Sequence, residues 1–347
     1  MVWFEMIGPS VLHHYVEEFH SGRNLATDDA ETFFDCLIAE TDEALIAKIL
    51  TGWDAKGTTE DELFWLASIM RRRMKRIEPR NQPVIDIVGT GGSRAKTFNV
   101  STAAAFVVAG ADVSVAKHGN RAATSSSGSA DVLDLLGVNM DVSPETAERC
   151  IDKHGICFMF APRFHSLSPT LAKVRREFGR PTIFNNLGPL CNPAGASHQL
   201  IGVWEKGLLE KTANVLQRLG TKGSWVVHGE SGLDEIALHG KTQVMAIRVG
   251  ELESRAISAV DFGIDTDDAE LPRNLSAVES ASLIREILGN KRKGENVEKL
   301  VLLNAAAAIY VAEKADNLKA AFEAAVDSVR TGSAMAKLKT LAAATNK

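Results

Sequence analysis

Residues 86–137 read DIVGTGGSRAKTFNVSTAAAFVVAGADVSVAKHGNRAATSSSGSADVLDLLG, and the fold is decided there. The short apolar run Ile85-Asp86-Ile87-Val88 predicts a buried strand that breaks at once into Gly89-Thr90-Gly91-Gly92-Ser93, a turn almost without side-chain bulk. Backbone N–H groups in such a turn approach a ligand closely. Asn99-Val100-Ser101-Thr102 then leads into an apolar helix expected over 103–111, whose first amides and positive dipole end suit an anion. The design then repeats. A strand expected over 113–116 runs into Lys117-His118-Gly119-Asn120-Arg121-Ala122-Ala123, the hydroxyl-rich Thr124-Ser125-Ser126-Ser127-Gly128-Ser129, and a helix over 130–136. Two consecutive strand-loop-helix units predict parallel strands with both loops on one sheet edge, where two anion cradles would serve a substrate carrying two separated phosphates.

Taken singly, each loop says little, because Gly-rich turns after strands are common connections and a Ser run is often a surface loop. Nor is either loop a standard nucleotide motif. Arg94 stands where the dinucleotide fingerprint needs its third Gly, and no Gly-Lys-Ser/Thr closes a P-loop. The pair of loops is the informative unit.

Upstream, Val11, Leu12, Tyr15 and Phe19 recur at helical spacing, Thr27-Asp28-Asp29-Ala30-Glu31 opens a second helix, and further helices are expected over 43–53 and 59–73. Residues 1–80 therefore read as a small helical domain, and Glu78-Pro79-Arg80-Asn81-Gln82-Pro83 as a linker. From residue 84 to 347, short β-branched runs alternate with helices, which predicts a larger α/β domain with a mostly parallel central sheet and flanking helices. Further strands are expected at 156–160, Thr182-Ile183-Phe184, 200–204, 225–227 and 244–247, and helices at 144–154, 163–179, 208–219, 277–288, 298–313 and 318–329. The Ala/Lys-rich last dozen residues look frayed.

At 347 residues, 45% of them hydrophobic, the chain is long enough for one large domain and a smaller one. A formal net charge of −5 offers no general attraction to nucleic acid or to an anionic membrane. The run Arg71-Arg72-Arg73-Met74-Lys75-Arg76 is the one basic cluster, expected to be a solvated helix end. Cys36, Cys150, Cys157 and Cys191 show neither zinc spacing nor a disulfide framework, so reduced thiols are the default. The N-terminus lacks the regions of a signal peptide, and no apolar run approaches the ~20 residues of a membrane span, so a cytoplasmic location is expected.

Gly89, Thr90, Gly91, Gly92, Asn99, Ser101 and Thr102 offer backbone, amide and hydroxyl donors, while Lys117 with Thr124, Ser125 and Ser129 adds charge and further donors. Asp234 and Glu235 follow a Gly-containing loop after a buried strand, and adjacent carboxylates there suit Mg2+, which takes one or two protein acids plus phosphate oxygens. His154, His165 and His228 have no metal-like spacing.

These residues also carry a resemblance. DIVGTGGS with TFNVST, KHGNRA with SGSADVL, FMFAPRFH, VRREFGRPTIFNNLGPLCNPAG and VHGESGLDEI together resemble the anthranilate phosphoribosyltransferase family, with a more distant likeness to pyrimidine nucleoside phosphorylases. The resemblance implies transfer of a phosphoribosyl group from phosphoribosyl pyrophosphate to anthranilate, in a homodimer joined through the helical domain. It assigns to the donor Gly89, Gly92, Ser93, Thr97, Asn99, Val100, Ser101, Thr102, the run from Lys117 through His118, Gly119, Asn120, Arg121, Ala122, Ala123 and Thr124 to Ser125, and Ser129. For the acceptor it points to Gly89, Asn120 and Arg175, with His118 beside them; for Mg2+, to Ser101, Asp234 and Glu235. A segment at about 163–180 is implied to join the helical domain, and closure would hinge at residues 79–83. No general base is expected, because an aromatic amine is already neutral and nucleophilic at pH 7. Ser93 stands where the family usually has Asp and Ser166 where Pro is usual, which leaves open a paralogue acting on another aromatic carboxylate. The competing readings are a nucleoside phosphorylase and, least favoured, a non-catalytic nucleic-acid-binding relative using Arg71 to Arg76.

Overall fold

The computed structural model describes residues 2–93, 95, 97–122, 127–266 and 270–347, and the side chains from residue 11 onward. Ala123, Thr124 and Ser125 of the second loop lie outside the described residues. Seven strands form one sheet: β1 Val84–Gly89, β2 Ser114–Gly119, β3 Ile156–Phe160, β4 His198–Gly202, β5 Gly223–Gly229, β6 Thr242–Arg248 and β7 Glu251–Ile257. They lie in the order β3-β2-β1-β4-β5-β6-β7. The first five pair in parallel, and β6 and β7 add an antiparallel edge. The chain winds outward from β1 through β2 to β3 and then returns to β4 on the other side of β1. A crevice opens where strand order reverses in this way, beyond the carboxyl ends of β1 and β4.

One face of the sheet is covered by helices that are apolar nearly all round. Helix Val100–Gly110 buries Ala103 to Ala109 at no more than 1% exposure, which is what a helix with no polar stripe requires. It packs against helices Asn296–Val311, Leu318–Arg330 and Ser333–Thr345. The approach is close enough that a Cβ on Gly110 would sit 2.2 Å from Ser328 Oγ.

The other face joins a second core made with the N-terminal helices Val2–His20, Ala30–Ala39, Glu43–Lys56 and Glu60–Arg73. Tyr15, Phe19, Phe33 and Trp53 stack there with ring centroids 4.8 to 5.7 Å apart. The mid-chain helix Pro169–Phe178 contributes Leu171 and Val174 to the same cluster, and Lys173 pairs with Glu43 at 2.7 Å.

Three local expectations differ from the structure, and one strand has no counterpart among them. Thr182-Ile183-Phe184 is the start of helix Ile183–Leu190 and not a strand: the Thr182 N–H donates to Asn185 Oδ1 at 3.0 Å, and Ile183, Phe184, Leu187 and Leu190 form one buried face. The last dozen residues are ordered in helix Ser333–Thr345, because Leu338 and Leu341 are buried in the large core and the Asn139 N–H donates to Thr345 Oγ1. Arg71 is not a freely solvated side chain; it is half-buried and caps two helix ends by donating to the carbonyls of Leu190 and Leu219, while Arg72 and Arg73 pair with Glu31. Strand β7, with the polar sequence ELESRAI, has no apolar alternation to announce it and exists by pairing with β6 through a turn at Val249 and Gly250, both at positive φ.

Glu62 is the polar centre of the helical core. Its carboxylate accepts from the N–H groups of Leu25 and Thr59, from Trp53 Nε1 and from Lys56 Nζ, and both partners of the Lys56–Glu62 pair are only 1% exposed. Burial pushes the Lys56 amine down from its usual range, with Glu62 opposing that shift. Glu62→Ala is expected to leave a buried ammonium without a counter-ion and to cost about 3–5 kcal/mol, read as a lower denaturation midpoint of the helical part. Removal of both charges as Lys56→Met with Glu62→Leu is expected to recover much of that loss.

Candidate active site

A cavity of about 310 Å3 lies at the carboxyl edge of the sheet, and the loops after β1, β2, β3 and β5 all reach it. Of the residues singled out in the sequence, Gly89, Asn99, Ser101, Thr102, Lys117, His118, Gly119, Asn120, Arg121, Ala122, Ser129, Arg175, Asp234 and Glu235 line it. Gly92, Ser93, Thr97 and Val100 do not. Val100 is wholly buried in the core, Gly92 lies so close to Pro181 that a Cβ would sit 2.5 Å from its Cγ, and the Ser93 hydroxyl donates to the Gly232 carbonyl at 2.7 Å.

The glycine turn owes its shape to the strand ends. Gly89 and Gly202 are in register on β1 and β4, and a Cβ on Gly202 would fall 1.6 Å from the Asp234 carbonyl oxygen. Only glycine there lets the loop bearing Asp234 cross the strand ends. Asp234 Oδ2 then accepts from the Gly91 N–H at 3.1 Å, and Asn185 Nδ2 donates to the Thr90 carbonyl at 3.2 Å. The helix that follows begins at Val100, earlier than expected, so Ser101 and Thr102 belong to its first turn beside the cavity. The Thr102 hydroxyl is buried and has no hydrogen-bond partner.

Lys117 is 4% exposed, and its ammonium donates to the Ile87 carbonyl and, at 3.3 Å, to Ser101 Oγ. Burial pulls it down to about 8, with Asp86 and Glu235 holding it up. Asp86, fully buried in β1, accepts from the His118 N–H and from Asn192 Nδ2, and burial raises its carboxyl to about 6 against the pull of Lys117. A lysine so placed is a fixed cation at the cavity wall. Arg121 lines the wall as well, but its guanidinium is engaged by Asp131 at 2.9 Å and Asp134 at 2.5 Å.

The other end of the cavity is apolar. Met70, Leu167, Ala172 and Phe184 contribute to it, and the Arg175 guanidinium lies 4.8 Å over the Phe184 ring. Arg175 Nε is buried without a partner, and burial alone lowers the group to about 10, so it remains cationic at neutral pH. A buried guanidinium nitrogen left unpaired is costly unless an anion completes it. Arg176, next in sequence, does not line the cavity.

His165 joins this end, a residue to which its sequence spacing gave no role. Its Nε2 lies 3.2 Å from His118 Nε2, the two rings meeting edge to face. Burial holds His165 down at about 4; His118 also lies well below its usual range, through burial first and then through His165. Both imidazoles are therefore neutral at pH 7. Phe184, Asn185 and Ser127 were likewise missed, since the first two sit on an unexpected helix and the third in a run that resembled a surface loop.

Among the described residues no group of three or more His, Cys, Asp or Glu side chains could hold a metal on its own. The Ser101 hydroxyl and the two carboxylates of Asp234 and Glu235 do share the cavity wall, and this all-oxygen set suits a hard cation whose remaining ligands are water and substrate. No helix among the described residues is long and apolar enough to cross a membrane.

Residues 81–335 match the model of the glycosyl transferase family a/b domain, and residues 13–74 match that of the glycosyl transferase family helical bundle domain. Anthranilate phosphoribosyltransferase of Natronomonas pharaonis is 41% identical over 94% of this chain and 98% of its own length. The crystal structure of the Thermus thermophilus enzyme superposes with a TM-score of 0.86 at 35% identity, covering 96% of this chain and 99% of that one. The Saccharomyces cerevisiae enzyme in complex with PRPP and Mg also superposes with a TM-score of 0.86, at 27% identity over 97% of this chain and 98% of that one. With two domain models matched in tandem and a relative of this similarity aligned nearly end to end, the chain belongs to the anthranilate phosphoribosyltransferase family.

Proposed function

We propose that this protein transfers the phosphoribosyl group of phosphoribosyl pyrophosphate to the amine of anthranilate, giving N-(5-phosphoribosyl)anthranilate and pyrophosphate in tryptophan biosynthesis. The observation that carries the reading is the two-ended cavity: a buried, unpartnered Arg175 nitrogen over an aromatic face at one end, and Lys117 with a helix N-terminus and two carboxylates at the other. A carboxylated aromatic ring fits the first end, and a doubly phosphorylated sugar the second.

In the reaction, the amine nitrogen forms a bond to ribose C1 while the bond from C1 to the pyrophosphate oxygen breaks, and the nitrogen then gives up a proton. Positive charge grows on the sugar and negative charge on the leaving group. Lys117 faces the leaving group as a preorganised cation, and the glycine turn with Asn99, Ser101 and Thr102 supplies donors to the donor substrate's phosphates. Arg175 takes the anthranilate carboxylate; Asn120 and the neutral His118–His165 pair flank the amine. Asp234 and Glu235 with Ser101 would hold Mg2+, which would supply charge neutralisation for the pyrophosphate. The neutral amine attacks without a strong general base.

The division at residues 79–83, between the helical part and the α/β part, is the natural hinge for closure over the two substrates, since Met70 and Arg175 reach the cavity from elements packed with the helical core. We place the enzyme in the cytoplasm, in keeping with four free cysteines, and expect a homodimer; light scattering of the purified protein reads the oligomer directly.

Mixing the protein with Mg2+, labelled donor and anthranilate is expected to release pyrophosphate. Phosphorolysis of a nucleoside in place of that release would overturn the reading, and faster turnover of a different aromatic carboxylate would reassign the acceptor. Arg175→Ala is expected to raise the KM for anthranilate by about 10–100-fold, as loss of a charge-assisted bond implies, with the KM of the donor nearly unchanged. Asp234→Asn with Glu235→Gln is expected to lower kcat/KM for the donor by about 100-fold and to shift its Mg2+ dependence upward. A lowered pKa in the folded state means that the unfolded chain binds more protons between about 4 and 6.5, so stability contributed by His165 is lost as pH falls through that window. Correspondingly, kcat/KM for anthranilate is expected to stay level from about pH 6 to 7 and to fall towards pH 8 as Lys117 loses its proton, and an acid limb centred near 6.5 would contradict the neutral histidine pair.

A further inference from the structure

The flanks of the second loop are tied together by one carboxylate. Asp131 Oδ2 accepts from two backbone N–H groups, those of Ala122 and Gly128, both at 3.0 Å. Its other oxygen accepts from Arg121 Nη1 at 2.9 Å. The bond from Gly128 is ordinary helix capping, since Asp131 sits in the first turn of helix Ser129–Leu135. The bond from Ala122 is not. Ala122 lies six residues before the cap, so one carboxylate draws the two flanks of the loop against each other. They touch so closely that a Cβ on Gly128 would lie 2.3 Å from the Ala122 nitrogen.

A second tie links this loop to the first. The Ser127 hydroxyl, fully buried, bonds to the Asn99 carboxamide oxygen at 2.7 Å. Asn99 lines the cavity and precedes the helix that begins at Val100. Leu275 spans both loops, its N–H donating to the Thr97 carbonyl at 3.0 Å and its carbonyl lying 3.4 Å from Ser127 Oγ. An acid beside an anion cradle repels its ligand unless it is neutralised. Asp131 is neutralised, by Arg121 and by the two amides it holds.

We propose that Asp131 and Ser127 are positioning residues for the phosphorylated donor: Asp131 staples Ala122 to Gly128 and Ser127 ties its flank to Asn99, so these cavity-lining flanks are held in place before the donor arrives. The inference rests on the functional reading above. It makes Arg121 a buttress of the loop, with its charge spent on Asp131 and Asp134.

The test is calorimetric titration of phosphoribosyl pyrophosphate with Mg2+ into the full chain, with steady-state kinetics for both substrates. Asp131→Ala is expected to weaken donor binding at least about tenfold, the loss of a charge-assisted bond, while the KM for anthranilate at saturating donor changes less than about twofold. Asp131→Asn retains an acceptor oxygen and is expected to recover part of the donor affinity; Ser127→Ala is expected to weaken the donor alone, to a smaller extent. Donor affinity unchanged in Asp131→Ala or, if that variant does not fold, in both Asp131→Asn and Ser127→Ala overturns the proposal. Equal loss for both substrates with a lowered Tm overturns it too, leaving Asp131 as a helix cap. Wild-type protein that takes up no donor overturns the functional reading, and the inference with it.

Discussion

The site depends on parallel pairing of β1 with β2 on one side and β4 on the other. Parallel strands put their carboxyl ends on the same edge, and the reversal of winding at β1 keeps that edge open as a crevice. Everything chemical then follows from what the strand ends allow. Gly89 and Gly202 stand in register there, and their missing side chains are what let the Asp234 loop lie across β1 and β4. A carboxylate from the β5 side thereby reaches the backbone of the turn after β1.

Burial of charge is the second constraint. Lys117, Asp86 and Arg175 are all held where water does not solvate them, and each is shifted against its charged form. Lys117 and Asp86 offset one another's cost across β1 and β2. Arg175 has only the face of Phe184, and its buried nitrogen lacks a partner. The unequal treatment separates the two ends of the cavity: one is preorganised, and the other is left to be completed by an anion. The histidines follow a different logic, because neutral imidazoles at 3.2 Å pay no charge penalty and add shape and hydrogen bonding beside the apolar end.

Architecture outside the site supports these placements. Alanine-rich helices Val100–Gly110 and Asn296–Val311 pack closely behind the sheet, so the helix N-terminus at the cavity is backed by a dry core. On the opposite face, Pro169–Phe178 and Ile183–Leu190 share a hydrophobic cluster with the N-terminal helices. Arg175 and Phe184 both come from this pair of helices, which ties the apolar end of the cavity to the helical part.

Most of the alternation of strands and helices, the paired glycine and hydroxyl loops and the adjacent acids were legible in the sequence, because each rests on local periodicity, on backbone freedom at glycine or on residues close together in the chain, whereas Arg175 stood out only through the family resemblance. Legibility ended where an outcome depended on a distant partner. Thr182-Ile183-Phe184 has strand composition, yet Asn185 caps a helix there and a remote core receives its apolar face. β7 has no pattern of its own and borrows one from β6; the terminal helix is ordered by a core that includes residues at least 206 positions earlier. The meeting of His118 with His165, the burial of Arg71 and the staple of Asp131 on Ala122 were decided only by the tertiary structure, since hydrogen bonds between separated side chains leave no spacing to read.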